Sequence, residues 1–329
     1  MRMERFFLVC FRIASGSGLR SGLRSCFRLG FGLASALVLM LQLVATAQGE
    51  ETSYRQQENL VYSESHGIGL LMDVFVPRGD KNGCAIVDVM SGAWHSDRGK
   101  IRDHARVKTF EILCQKGYTV FAIRPGSITK FNVPEMQANL NQGIVWVKQH
   151  AQDYAIDPQR LGLMGASAGG HLASLAAVTA TDGTKTDAKG ERLADTRVKA
   201  VGVFFPPTDF LMYGDRPIDV SATDRMGPLI RRLAFPTGDA PVSAEEVNKL
   251  VTAISPARLV TDQSPPFLLI HGDADLVVPL QQSEVMLAAL KQAGVSAKLI
   301  VKPGGGHPWP TMHEEVQVLA DWFDQQLLK

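Results

Sequence analysis

The run Gly165-Ala166-Ser167-Ala168-Gly169-Gly170-His171 has the clearest chemical content in the sequence. It follows an apolar strand-like run at 161–164 and opens a helical pattern at Leu172. A strand that turns into a helix so abruptly needs small residues on both sides of the turn, and it lifts the serine hydroxyl to the C-terminal edge of a sheet. The amide of Ala168, first in the helix, faces the same point and can stabilise a developing oxyanion. The competing reading is a glycine-rich turn without chemistry. A serine becomes a nucleophile only beside a base that an acid orients. Two later loops offer both: His271-Gly272-Asp273-Ala274-Asp275 after the strand at 267–270, and Gly304-Gly305-Gly306-His307-Pro308-Trp309 after the strand at 297–301. Asp275 lies 108 residues beyond Ser167 and His307 a further 32 on, the length of one helix and one strand.

Among eight histidines, His307 is the one that follows a glycine run after a late strand. His313 reads as a surface residue, and a metal site on the two has no third ligand at suitable spacing. Asp273 and Asp275 both remain candidates for the acid, with Asp273 alternatively a turn residue capping its own loop. A second oxyanion donor is expected from the loop Ser91-Gly92-Ala93-Trp94, through the amides of Gly92 or Ala93. Trp94 reads either as a pocket wall or as packing against the sheet.

The elements that must position these groups alternate. Strands are expected at 60–65, 70–76, 85–90, 119–123, 161–164, 200–204, 267–270 and 297–301, the first two as an antiparallel pair. Helices are expected near 103–116, 137–151, 169–180, 280–293 and 312–328. That order predicts an α/β chain with a mostly parallel central sheet covered by helices on both faces. The interval from 205 to 265 breaks the rhythm, with no convincing strand and one helical patch near 244–250. So long an insertion predicts a lid, whose Phe210, Met212, Tyr213, Met226 and Phe235 cover the pocket. Trp309, beside His307, is a further pocket candidate.

Together these motifs resemble the α/β-hydrolase superfamily, and within it the bacterial acetyl-esterase and lipase-like carboxylesterases that include feruloyl and acetyl-xylan esterase-like members. The likeness spans nearly all of the chain after residue 47. It is carried by Leu71-Met72-Asp73-Val74-Phe75-Val76-Pro77, Gly117-Tyr118-Thr119-Val120, Ile156-Asp157-Pro158-Gln159-Arg160, Ser167-Ala168-Gly169-Gly170-His171-Leu172-Ala173 and Phe205-Pro206-Pro207-Thr208-Asp209-Phe210. The resemblance implies a triad of Ser167, His307 and Asp275, because Asp275 stands where the related HG-x-x-D pattern puts the acid. It implies hydrolysis of a small-molecule or carbohydrate ester through an acyl-enzyme, with no cofactor or metal. Two departures stand out. The H-G-G-x-W element becomes Met90-Ser91-Gly92-Ala93-Trp94, and the usual helix-start acid falls on Asn139, which takes an ion-pair partner from Arg124. A peptidase of the prolyl-oligopeptidase type shares the acid loop, but such enzymes usually carry a propeller ahead of the hydrolase. A hydrolase fold that has become a binding module commonly lacks a triad member.

Composition sets the remaining bounds. The chain has 329 residues, a formal charge of +1, 45% hydrophobic and 20% charged residues and four cysteines, which excludes collagen-like, disordered and disulfide-framework classes. Near-neutrality gives no reason to expect nucleic acid or an anionic membrane as partner. Six arginines against one acid precede Leu29, and an uncharged stretch then closes on Ala45-Thr46-Ala47, the pattern of a secretory signal cleaved after Ala47. Nineteen apolar residues also reach the lower limit for an uncleaved anchor. Cleavage would leave 282 residues with 28 bases against 32 acids, a net charge of −4. Of the cysteines only Cys84 and Cys114 would remain; export permits a disulfide, but their apolar strand and helix settings predict free, buried thiols.

Overall fold

The molecule is described by a computed structural model, over residues 52–235 and 243–329. The expected signal segment 1–47 lies outside the described residues. Residues Thr52–Lys329 form one unit. The apolar runs pair into an eight-stranded sheet. It comprises β1 (Tyr54–Ser65), β2 (Ile68–Pro77), β3 (Ala85–Val89), β4 (Thr119–Arg124), β5 (Leu161–Ala166), β6 (Ala200–Phe204), β9 (Phe267–Gly272) and β10 (Ala297–Lys302), in the order β1-β2-β4-β3-β5-β6-β9-β10. β2 runs antiparallel to β1 and β4, and every other neighbour is parallel. This is the α/β-hydrolase fold. The first two strands are longer than the apolar signal suggested, because β1 is an edge strand with an exposed face whose polar residues carry no hydrophobic signal.

Strand alternation splits the core in two. Val87, Val89, Leu163 and Val203 pack on one face, under α3 (Val133–Gln149) and α5 (Ala168–Val178). Ile86, Met164, Phe204 and Ile270 pack on the other, with α2 (Thr109–Gln115) and α9 (Met312–Leu327). A capping box between Asn132 and Glu135, with Pro134 in the first turn, starts α3. The single helix expected near 103–116 is instead two, α1 (Arg98–Arg106) and α2, with Lys108 left-handed at φ 59° between them. In one straight helix Ile101 and Phe110, nine residues apart, would face opposite ways; the break lets both enter the same core.

The insertion holds a ribbon of two two-residue strands, β7 (Met212–Tyr213) and β8 (Arg216–Pro217), which sequence did not suggest. It also holds α6 (Met226–Ala234) and α7 (Ala244–Ala253), with α4 (Ala151–Tyr154) and α8 (Gln281–Gln292) elsewhere completing the α-helices. Cys84 and Cys114 are free and buried. Arg124 finds a different partner, Asp73, at 3.2 Å, and Asn139 donates to the Pro125 carbonyl. Among the described residues no helix is long and apolar enough to cross a membrane.

Candidate active site

The C-terminal ends of the parallel strands carry the predicted groups to one place. Ser167 follows β5 with φ 54° and ψ −122°, a conformation that a non-glycine residue keeps only when its surroundings enforce it. They do: the Ser167 amide donates to Phe204 O, and Gly169 N donates to Ser91 O. A Cβ on Gly169 would lie 2.3 Å from Val89 O, so a larger residue would push the helix off β3.

The two other loops meet in the same way. At the ends of β9 and β10, a Cβ on Gly272 would lie 2.1 Å from Gly305 O, and Ala274 N donates to that oxygen. This contact sets the acid loop against the histidine loop. His307 Nδ1 lies 2.6 Å from Asp275 Oδ2 and its Nε2 2.9 Å from Ser167 Oγ, an unbroken chain from acid to hydroxyl. Asp273 is turned elsewhere and accepts from Gly304 N at 2.6 Å. His313 lies exposed on α9. Burial favours a protonated Asp275. Hydrogen bonds from His271 and His307, and from the amides of Val278 and Val277, outweigh it and hold the carboxyl far below the usual carboxylate range. The ionised acid fixes the proton of His307 on Nδ1, so Nε2 presents a lone pair to Ser167.

Of the three oxyanion candidates, the amides of Ala168 and Ala93 have no acceptor among the described residues. Gly92 differs: its amide donates to His95 O at 2.9 Å, and His95 N returns a bond of the same length. The pair closes a tight turn in which Ala93 and Trp94 both have positive φ, 47° and 58°. Gly92 lines the site without offering its amide.

A cavity of about 950 Å³ opens at Ser167 and His307. Trp94, Phe210, Tyr213 and Met226 line it; Met212 and Phe235 do not. Trp309 is a correction. It is buried in the core against Phe204 and Phe205, with its indole N–H donating to Glu315, because the chain after His307 turns back toward α9. Sequence reasoning gave no role to His104, which lines the cavity and pairs with Asp88 at 2.7 Å. The available signal was an acid within the apolar run of β3.

His171, inside the serine motif, ties the walls together. The Trp94 indole N–H donates to its Nδ1 at 3.0 Å, and its Nε2 donates to Ile254 O at 2.7 Å. Burial pushes its pKa down to about 4, against which the Ile254 carbonyl acts weakly. The folded state therefore binds fewer protons than the unfolded chain between about pH 4 and about 6.5, the ordinary histidine value. Stability from this group is complete above pH 6.5 and is lost as the pH falls through that window, by roughly 3 kcal/mol in all. Urea unfolding of the wild type and His171→Gln at pH 7 and 4.5 is expected to show a steeper acid loss in the wild type; equal losses would count against it.

The chain is similar to several known proteins. A family model described as BD-FAE matches residues 72–290. A probable carboxylic ester hydrolase, LipM, of Mycobacterium tuberculosis is 29% identical over 242 residues, 73% of this chain and 52% of its own length. Esterase LipQ of the same organism is 27% identical, over 64% of this chain and 46% of its own. This chain thus spans about half the length of the curated relatives it matches. A solved structure described as a truncated form of a carbohydrate esterase from gut microbiota superposes with a TM-score of 0.71 at 28% identity, covering 85% of this chain and 99% of that one.

Proposed function

Since the chain belongs to the BD-FAE family, we propose that it is a serine carboxylesterase whose catalytic residues are Ser167, His307 and Asp275. The observation that carries this reading is the continuous hydrogen-bond chain from Asp275 through His307 to a strained, pocket-facing Ser167. Ser167 Oγ attacks the ester carbonyl as its proton passes to His307 Nε2. The carbonyl oxygen takes the negative charge and accepts hydrogen bonds from the amides of Ala168 and Ala93. Collapse breaks the bond to the alcohol, which leaves with the proton from His307, and the acyl group stays on Ser167. Water then attacks the acyl-enzyme, giving its proton to His307, and the second collapse frees the carboxylic acid and returns the proton to Ser167.

The insertion from 205 to 265 is proposed as a lid, since Phe210, Tyr213 and Met226 line one side of the cavity. The likeness to a carbohydrate esterase favours an acylated carbohydrate as substrate, and residues 1–47 are proposed as a cleaved export signal. A fluorophosphonate probe tests the central claim: one adduct is expected, on Ser167 by peptide mapping, with parallel loss of acetyl ester hydrolysis. Labelling elsewhere, or none in folded protein, would reject it and favour a binding module.

A further inference from the structure

We propose that the cavity-facing stripe of α1, with His104 anchored on Asp88 and with Lys100 beside it, is an anion subsite that selects esters bearing a carboxylate. The inference rests on the esterase reading and concerns which ester that site prefers. Asp88 stands in the middle of β3, has no exposed surface, and in register faces Ala122 and Met164. Its Oδ2 lies 2.7 Å from His104 Nδ1, and its Oδ1 has no partner among the described residues. A carboxylate so deeply buried is strongly disfavoured unless a cation faces it. Burial disfavours the charged imidazole too, but the charge and hydrogen bond of Asp88 more than reverse this, and the His104 pKa lies above its ordinary value.

The imidazole sets Nδ1 against Asp88 and leaves Nε2 without a protein partner among the described residues. His104 is 13% exposed, and that exposure is on the cavity wall. Lys100 is one helical turn earlier and shares the face with Asp103, His104 and Val107, all of which line the cavity. Its stem lies across the oxyanion loop: a Cβ on Gly92 would meet Lys100 Cδ at 2.7 Å. Asp103 bridges Lys100 and Arg106, at 2.7 Å each. Of the charged residues that line the cavity, Lys100, Arg106 and Arg225 outnumber Asp103, so its wall carries an excess of positive charge. A neutral ester group offers that charge little, whereas a carboxylate pairs with it.

The test uses two ester pairs that differ by one methyl cap: 4-acetoxybenzoate and its methyl ester, with the charge on the alcohol side, and phenyl hemisuccinate and its methyl ester, with the charge on the acyl side. The full-length chain is expected to prefer the carboxylate in at least one pair by about tenfold in kcat/KM. His104→Gln and Lys100→Met are each expected to bring that ratio toward one. If His104→Gln fails to fold, Lys100→Met, on the helix surface, decides alone. A wild-type ratio at or below one in both pairs overturns the proposal. So does a ratio that survives substitution, including an equal fall on both esters of a pair, which is the mark of a structural role. Failure of the wild type to hydrolyse any of the four esters overturns the esterase reading as well, so the two failures are told apart.

Discussion

Ser167→Ala is expected to lower kcat for a short acetyl ester by roughly 10⁵- to 10⁶-fold. The expectation follows from what the hydroxyl does in the folded state. Its hydrogen bond is to His307, and the backbone bonds that hold the elbow, from the Ser167 amide to Phe204 O and from Gly169 N to Ser91 O, do not involve it. Alanine meets the same φ of 54° with the same Cβ, so the backbone strain is unchanged. His307 stays bonded to Asp275 and is partly accessible to water, so no buried donor is orphaned. The unfolding midpoint should therefore stay close to that of the wild type while turnover falls. The amides of Ala168 and Ala93 remain, and with them a residual acceleration over water. Hydrolysis of 4-nitrophenyl acetate by wild type and variant, alongside urea unfolding, separates loss of chemistry from loss of fold. Turnover within tenfold of the wild type would mean that the nucleophile lies elsewhere.

The parts of this site that were legible in sequence are those written in one local pattern. Ser167 and His307 each follow a strand and sit among glycines, and both patterns have steric causes visible at Gly169, Gly272 and Gly305. Spacing alone leaves Asp273 beside Asp275, both in one turn, and only the resemblance points to Asp275; what separates them physically is which one the histidine loop reaches, a contact across β9 and β10. The turn at Ala93 and Trp94 ran against local preference, since two non-glycine residues with positive φ are disfavoured. Tertiary bonds hold it there: Trp94 O accepts from Ile128 N at 2.7 Å, and the indole is fixed on His171. Trp309 misled because nearness in sequence to His307 does not fix the side of the sheet on which a ring packs. Asp88 and His104 are sixteen residues apart and on different elements, so their pairing depends on how α1 docks over β3.

Asp275→Asn is expected to reduce kcat by about 10⁴-fold while leaving the loop in place, and the reason is a proton on the wrong nitrogen. Asp275 Oδ1 accepts from the amides of Val277 and Val278 at 2.8 and 2.9 Å. Those two donors need an acceptor, so the oxygen of an asparagine must stay with them and its NH₂ must turn toward His307. His307 Nδ1, which donates to the carboxylate at 2.6 Å in the wild type, would then have to accept. The imidazole proton moves to Nε2, and the nitrogen facing Ser167 Oγ can no longer take its proton. His271, whose Nε2 lies 3.4 Å from the same carboxylate oxygen, faces the new NH₂ as well, so the substitution also places donors against one another. Fluorophosphonate labelling of Ser167 needs the same deprotonation and should slow together with kcat, whereas KM should change little. Asp275→Ala removes the conflict and leaves His307 free to hold either tautomer, so it should keep more activity than the isosteric asparagine. An asparagine variant within tenfold of the wild type, or one that labels at the wild-type rate, would show that the acid is not needed to orient His307.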